Sequence, residues 1–372
     1  MLVTSTGIVA ADGPVLLGAV YNLSGPQAAF DEPSARGAEL AAARANAAGG
    51  VLGRQVKLVI ADPGGSLDRV AAVTGELIDA HPSIAAVLGL SDTDMVLAAA
   101  PVAAGRQRLF MTAGATSPKL PAQVPEHLFL ACFGDNVQAA AAAEFAYHDL
   151  AARTASIIYN AATTYTTLLQ AYYRARFEEL GGRIVATRNY GTPAGRDAAL
   201  ADLPAADVVF LSAQEPAEAA AGIAGLRQAG IGAPIMGGDG FDSEDEWSKH
   251  PDFGAVYFTT HVWLAPDNPD PAVRAFDDAY RRAYGGRAPD GFAALGHDAV
   301  GVLLAAIAAA GSAEPGRVLA SLAQLEDYRG VTGTISYQDG SRIPTKSVTI
   351  LEVRGGQPAL VKQLMPERVP PP

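Results

Sequence analysis

The chemistry open to this chain begins with hydroxyls and carboxylates at the ends of apolar runs. Arg108-Leu109-Phe110-Met111 passes abruptly into Thr112-Ala113-Gly114-Ala115-Thr116-Ser117-Pro118. Bulky residues followed by small ones read as a buried parallel strand and a polar turn, where Gly114 and Ala115 admit a ligand close to the backbone. Thr112, Thr116 and Ser117 then offer hydroxyls, although the same pattern also fits an ordinary strand-to-loop turn. Ser91-Asp92-Thr93-Asp94 precedes an apolar helical run. Backbone N–H groups and the helix dipole make such a start an anion site; the alternative for Thr93 is a plain N-cap. Both arrangements are suited to holding a ligand, not to breaking a bond.

Catalytic signatures are absent. The sequence has neither a GxSxG nucleophile elbow nor a GxxxxGK[ST] phosphate loop. Gly238-Asp239-Gly240 follows an apolar run as a dinucleotide loop would, but Ser243 occupies the third glycine position and the fingerprint fails. The six histidines (His81, His127, His148, His250, His261, His297) are scattered without HExxH or close pairing, which leaves no zinc signature. Cys132 is the only cysteine, so neither a disulfide nor a thiolate metal site can form within the chain. Asp242, Glu244, Asp245 and Glu246 fit no EF-hand loop and read as a solvated helix start. No cofactor and no metal are expected.

The elements that must position these groups alternate regularly. Apolar runs at 15–21, 55–61, 84–88 and 109–111 read as strands, with helices at 33–48, 67–80 and 93–104 between them. After 128–133 the rhythm resumes, with helices at 136–150, 165–180, 194–203 and 216–229 and strands at 155–159, 183–188, 208–211, 234–236 and 256–260. Such alternation means right-handed βαβ units and parallel sheets, hence an α/β protein with two doubly wound lobes. Helices at 271–284 and 290–310, a short third, and strands at 333–337 and 347–353 follow. The tail 369–372 reads as disordered.

Composition agrees with this picture. A chain of 372 residues, 49% hydrophobic and 18% charged, can build two ordinary cores. Its net charge of −12 argues against nucleic acid, which needs a basic surface. The longest apolar run, 299–310, is too short to span a bilayer and reads as a core helix. Asp12-Gly13-Pro14 interrupts the N-terminal segment, which lacks the apolar stretch of an export signal. The protein is then either cytoplasmic or exported with a signal outside this sequence.

Several stretches together resemble the type I periplasmic solute-binding proteins, specifically the branched-chain-amino-acid-binding (Leu/Ile/Val) receptors of ABC transporters. The resemblance is carried by Leu23-Ser24-Gly25-Pro26, by Arg36-Gly37-Ala38-Glu39-Leu40-Ala41, and by Asn46-Ala47-Ala48-Gly49-Gly50-Val51-Leu52-Gly53. Asp62, Ala115-Thr116-Ser117-Pro118-Lys119-Leu120, Gly237-Gly238-Asp239-Gly240 and Asp298-Ala299 extend it over almost the whole chain.

The resemblance implies two α/β lobes joined by three crossovers that close on a ligand. The breaks fall near Ala131, Thr260 and Gly333, giving one lobe from 1–131 and 262–333 and another from 132–261 and 334–372. It also implies that the ligand's carboxylate is held at Thr93, beside Ser91, and at the Gly114-Ala115-Thr116 turn. Asp239 matches the family's ammonium anchor, and Tyr165 its aromatic contact, although Thr166 replaces the glycine that usually follows. At the next aromatic contact this chain has Ser212-Ala213-Gln214-Glu215, which makes the pocket more polar than a Leu/Ile/Val site. His261 and Trp263 either line the side-chain pocket or pack between the lobes.

The expected function is thus a non-enzymatic, extracytoplasmic receptor, monomeric, that presents an amino acid or related small carboxylate to permease subunits. A ligand-sensing regulator of the same fold is the first alternative, separable by whether an export signal precedes Met1. An α/β enzyme is the second, separable by turnover of the bound ligand.

Overall fold

Residues 13–337 and 339–372 are described by the structure, a computed structural model. The question of a leader in 1–12 lies outside the described residues. The first series runs β1 (Val15–Val20), α1 (Ala28–Ala47), β2 (Val56–Ala61), α2 (Leu67–Ala80), β3 (Ile84–Gly89), α3 (Thr93–Gly105), β4 (Phe110–Thr112), α4 (Leu120–Gln123) and β5 (Leu128–Leu130). Its strands form one parallel sheet in the order β2-β1-β3-β4-β5. β3 is buried along its whole length, as a strand covered on both faces must be.

The chain then crosses to a second lobe through α5 (Asp135–His148), β6 (Thr154–Asn160), α6 (Thr164–Glu179), β7 (Arg183–Tyr190), α7 (Pro193–Leu200), β8 (Val208–Ser212), α8 (Pro216–Gln228), β9 (Ile235–Gly237) and β10 (Val256–Thr260). The parallel order β7-β6-β8-β9-β10 repeats the winding of the first sheet. Each sheet therefore has a switch point, between β1 and β3 and between β6 and β8, and ligand crevices in open α/β sheets lie beyond the strands' carboxyl ends there.

A second crossing brings α9 (Pro271–Ala283), α10 (Gly291–Ala310) and α11 (Pro315–Leu322) back to the first lobe, where Leu295, Val302, Leu303 and Ile307 join its core. β11 (Tyr328–Gly330) and β12 (Gly333–Ile335) make a small antiparallel pair. The third crossing delivers β13 (Val348–Arg354) and β14 (Gln357–Leu364), an antiparallel hairpin added to the second sheet beside β10. Buried Lys346 ties two crossings together, its Nζ donating to Ala131 O at 2.9 Å and to Thr332 Oγ1. Burial lowers its pKa to about 8.

Four expectations need correction. Helix α1 begins at Ala28 and carries Pro33 inside it, because Asp31 in its first turn takes hydrogen bonds from Asn22 N and Nδ2 at 2.9 and 2.8 Å and fixes the entry earlier. The run 299–310 is only the later part of α10, whose 20 residues, His297 and Asp298 included, are long and apolar enough to cross a bilayer, but the helix is mostly buried inside the protein, packed against α1 and α11. The tail is held: Asn136 Nδ2 donates to Pro370 O at 2.9 Å, and Glu144 accepts from Glu367 N at 2.9 Å. Finally, β11 and β14 were not expected. β14 is a half-exposed strand containing Pro358, and its only sequence signal is Gly355-Gly356, a two-residue turn with both φ angles positive.

Candidate ligand-binding cleft

Side chains from both lobes meet beyond the strand ends. The cleft is lined by Phe30, Ser91, Gly114 and Thr116 from the first lobe's loops and by Tyr165, Gln214, Asp239 and Gly240 from the second, with Phe292 at the start of α10 closing one side. Gly114 is required by packing, since a Cβ there would lie 2.7 Å from the Phe292 ring and 3.0 Å from Ser91 Oγ. The cavity left is about 10 Å³, room for about one water, so any ligand must enter with the lobes apart.

On the first lobe, Thr93 begins α3 and is buried, with its Oγ1 free of any hydrogen-bond partner. The cap itself is Asp92, whose Oδ1 accepts from Met95 N at 2.9 Å. Part of the positive helix end is thus already answered by a carboxylate, which burial pushes above its ordinary range. Asp31 is fully buried nearby and is pushed up to about 7 by burial. In the β4 turn the groups expected to receive an anion are partly committed. Ala115 N donates to Thr112 Oγ1 at 2.9 Å, and Thr116 Oγ1 donates to Asp135 Oδ1 at 2.6 Å.

Asp239 is the centre of the second wall. It is buried and accepts at Oδ1 from Tyr165 OH and Gln138 Nε2, both at 2.8 Å, and at Oδ2 from His261 Nε2 at 3.1 Å. Tyr165 OH in turn accepts from Gly240 N at 3.0 Å, which fixes its proton toward Asp239. Burial lowers the His261 pKa, leaving a neutral ring stacked on Phe133 at 4.0 Å with Nδ1 unpartnered. A carboxylate with four lone-pair sites and three donors retains one acceptor position, on Oδ2.

The structure therefore brings together Ser91, Gly114, Thr116, Tyr165, Gln214 and Asp239, and sets Thr93 and Ala115 immediately behind them. His261 sits one step back, orienting Asp239. Trp263 is not in the cleft: it lines cavities flanking the second crossing and packs with the second lobe's core. Phe30, Phe292, Gln138 and Asp135 were not singled out from the sequence. The two rings pack tilted with centroids 4.5 Å apart, as core aromatics do, while Asp135 and Gln138 have the composition of an exposed first turn of α5.

The lobes are also tied outside the cleft. Gln214 Nε2 donates to Asp92 Oδ2 at 2.8 Å, and Thr164 N and Oγ1 donate to Asp94 at 3.2 and 2.5 Å. Asp242 and Glu244 are not part of a solvated helix start. Asp242 is buried and accepts from Thr260 Oγ1 and from Gly291 N at 3.1 Å. Glu244 bonds Arg36 Nη2 at 2.7 Å, Tyr280 OH at 2.6 Å and Arg287 Nη1 at 3.0 Å, all on the first lobe. A cavity of about 270 Å³ lies beside this latch, lined by Glu32, Arg36, Glu215 and Arg287 among others.

Comparison with known proteins bears on the fold and the family. The chain is 26% identical to a Leu/Ile/Val-binding protein homolog of Brucella melitensis biotype 1 over 354 residues, 94% of each chain. It superposes with a TM-score of 0.86 on the branched-chain amino acid transporter substrate binding protein LivJ from Streptococcus pneumoniae in complex with isoleucine, at 26% identity, covering 95% of this chain and 100% of that one. A solute binding protein of R. palustris in complex with benzoate has the same fold, with a TM-score of 0.82 at 19% identity over 95% of this chain and 97% of that one. Residues 14–357 match the family model described as periplasmic binding protein, and the chain belongs to that family.

Proposed function

We propose that the protein is the extracytoplasmic receptor of an ABC importer and clamps an amino acid, or a related small carboxylate bearing an amine, between its lobes. The observation that carries this reading is Asp239: a buried carboxylate on the cleft wall, held by three neutral donors and with one acceptor position left. An ammonium completes such a group with a charge-assisted bond. A simple anion such as benzoate fits poorly, because no Lys or Arg is among the described residues lining the cleft. The ligand's carboxylate would meet the Ser91 and Thr93 hydroxyls, both without a protein partner, and backbone N–H groups. Gln214 makes the remaining wall more polar than a Leu/Ile/Val side chain requires.

In this reading 1–131 with 262–333 and 132–261 with 334–372 are the moving lobes, the protein acts as a monomer without cofactor or catalysis, and permease subunits take up the ligand. The relatives named above support the transport assignment by their own names. A thermal-shift and calorimetric screen against the common L-amino acids, their keto acids and benzoate tests it. At least one amino acid should bind while its keto acid does not; binding of benzoate or keto acids alone would reject the amine reading. Mass spectrometry of material that co-purifies identifies the ligand independently.

A further inference from the structure

Behind the cleft wall a second carboxylate shares its hydrogen bonding with Asp239. Gln138 Nε2 donates to Asp239 Oδ1 at 2.8 Å and to Asp135 Oδ1 at 3.1 Å, so one amide nitrogen bridges two acids. Its orientation is fixed, because Gln138 Oε1 accepts from Asp239 N at 3.0 Å and Thr259 Oγ1 at 2.7 Å. Asp135 is fully buried, and its Oδ2 has no hydrogen-bond partner. Neither acid has a Lys or Arg within ion-pair distance among the described residues; His261 on Asp239 is the one basic group in contact. Two uncompensated charges cannot share a dry site, so one of the acids must be neutral. Asp239 faces three donors and Asp135 two, which makes charge cheaper on Asp239.

We infer that Asp135 carries a proton in the ligand-free protein and releases it when a ligand ammonium docks on Asp239, so that amine binding is coupled to proton release. This rests on the amine reading above and adds what the second acid does. Burial, then the facing Asp239, push Asp135 up to about 8. The titratable groups around it cannot replace the proton. Tyr165 and Tyr172 are held neutral by burial, as is Cys132, and the neutral His261 stands beyond Asp239. Lys346 acts on Cys132, His261 and Asp298, and is not among the groups that shift Asp135. An ammonium on Asp239 offsets the charge that faces Asp135, one of the two causes that raise it, and removing or opposing such a charge lowers a carboxyl by about one to three pKa units. Asp135 then goes from neutral to ionised on binding, and the proton moves from its carboxyl to solvent while the ligand stays an ammonium.

The sign follows directly. The bound form favours ionised Asp135, so affinity rises with pH up to about 8, by at most about tenfold per pH unit, and rises no further above it, falling once the ligand's own ammonium deprotonates. The test has two arms on the full chain. In the first, carbon-13 NMR of aspartate-labelled free protein should show a carboxyl titrating near pH 8 that Asp135→Asn removes; full ionisation of every aspartate at pH 6 overturns the proposal and needs no variant to fold. In the second, an equimolar mixture of the common L-amino acids is added to weakly buffered protein at neutral pH with an indicator dye. Release of roughly half to nearly all of one proton per protein, lost in Asp135→Asn, supports the coupling. Binding seen by thermal shift without proton release overturns the coupling and leaves the receptor reading standing. No thermal shift at all overturns both.

Discussion

At the scale of single residues, the two threonines expected to hold the same anion have different surroundings. Thr93 Oγ1 has no protein partner, whereas Thr116 Oγ1 is committed to Asp135. Thr93→Val should therefore leave stability near wild type and weaken binding by about 0.5–1.5 kcal/mol, or more if the ligand's carboxylate is its partner. Thr116→Val should instead lower the melting temperature, because it strips a donor from a buried acid. Calorimetry and thermal melts on both variants separate the two roles. Asp239→Ala removes the ammonium's counter-charge and should weaken an amino acid by about 3–5 kcal/mol, a factor of a hundred to several thousand, while a deaminated analogue loses little. An analogue that binds wild type best and tolerates Asp239→Ala would rule out the amine. Residues at strand ends, such as Thr93 and Asp239, were legible because the crevice of an open sheet lies there. Asp135 and Gln138 were not, since Asp135-Asn136-Val137-Gln138 has the composition of a solvated first turn, and it is buried only by tertiary partners distant in sequence: Thr116 on the opposing lobe and Asp239 and Thr259 on its own.

Between elements, the closest approach is that of α1 and α10, which bring the first-lobe wall of the cleft into register. A Cβ on Gly37 would sit 1.8 Å from Ala293 O, and one on Gly296 would sit 1.9 Å from Ser34 O. Each helix contributes one glycine to a crossing where backbone meets backbone, so neither can yield by turning a side chain. Gly37→Ala should cost about 1–3 kcal/mol or more in stability despite its better helix propensity, as a urea titration can measure. A helix propensity effect alone would stabilise instead. Strand and helix identities were readable from periodicity and held through most of both sheets. The contacts that position α10 were not, because a glycine within an apolar helix looks the same whether it meets solvent or another backbone. β14 escaped for the complementary reason: half-exposed, with Pro358 at its start and only Ala359-Leu360-Val361 apolar among polar neighbours, it is held as a strand by the edge that β13 offers.

For the molecule as a whole, the contacts between lobes describe a closed clamp. A cavity of about 10 Å³ admits no amino acid, so the lobes must part for entry, and the bonds that join them set how often they do. Glu244 gathers three of these bonds on one carboxylate: its side chain is 5% exposed and meets Arg36, Tyr280 and Arg287 without lining the cleft. Hydrogen bonds to charged groups contribute about 1.5–3 kcal/mol, and because only the closed form encloses ligand, affinity falls in proportion to the closed fraction lost with Glu244. Glu244→Ala should then raise the ligand-free radius of gyration and weaken binding by roughly ten- to a hundredfold. Saturating ligand should restore the compact wild-type scattering curve, since the hinge and both cores are untouched. Small-angle scattering on wild type and Glu244→Ala, free and saturated, gives four curves that must fall in that order. If the variant binds normally and scatters as wild type when free, the latch contributes nothing and closure is held by the cleft residues alone. If it stays expanded at saturation, Glu244 is needed for the closed geometry itself and is not merely a bias on a pre-existing equilibrium.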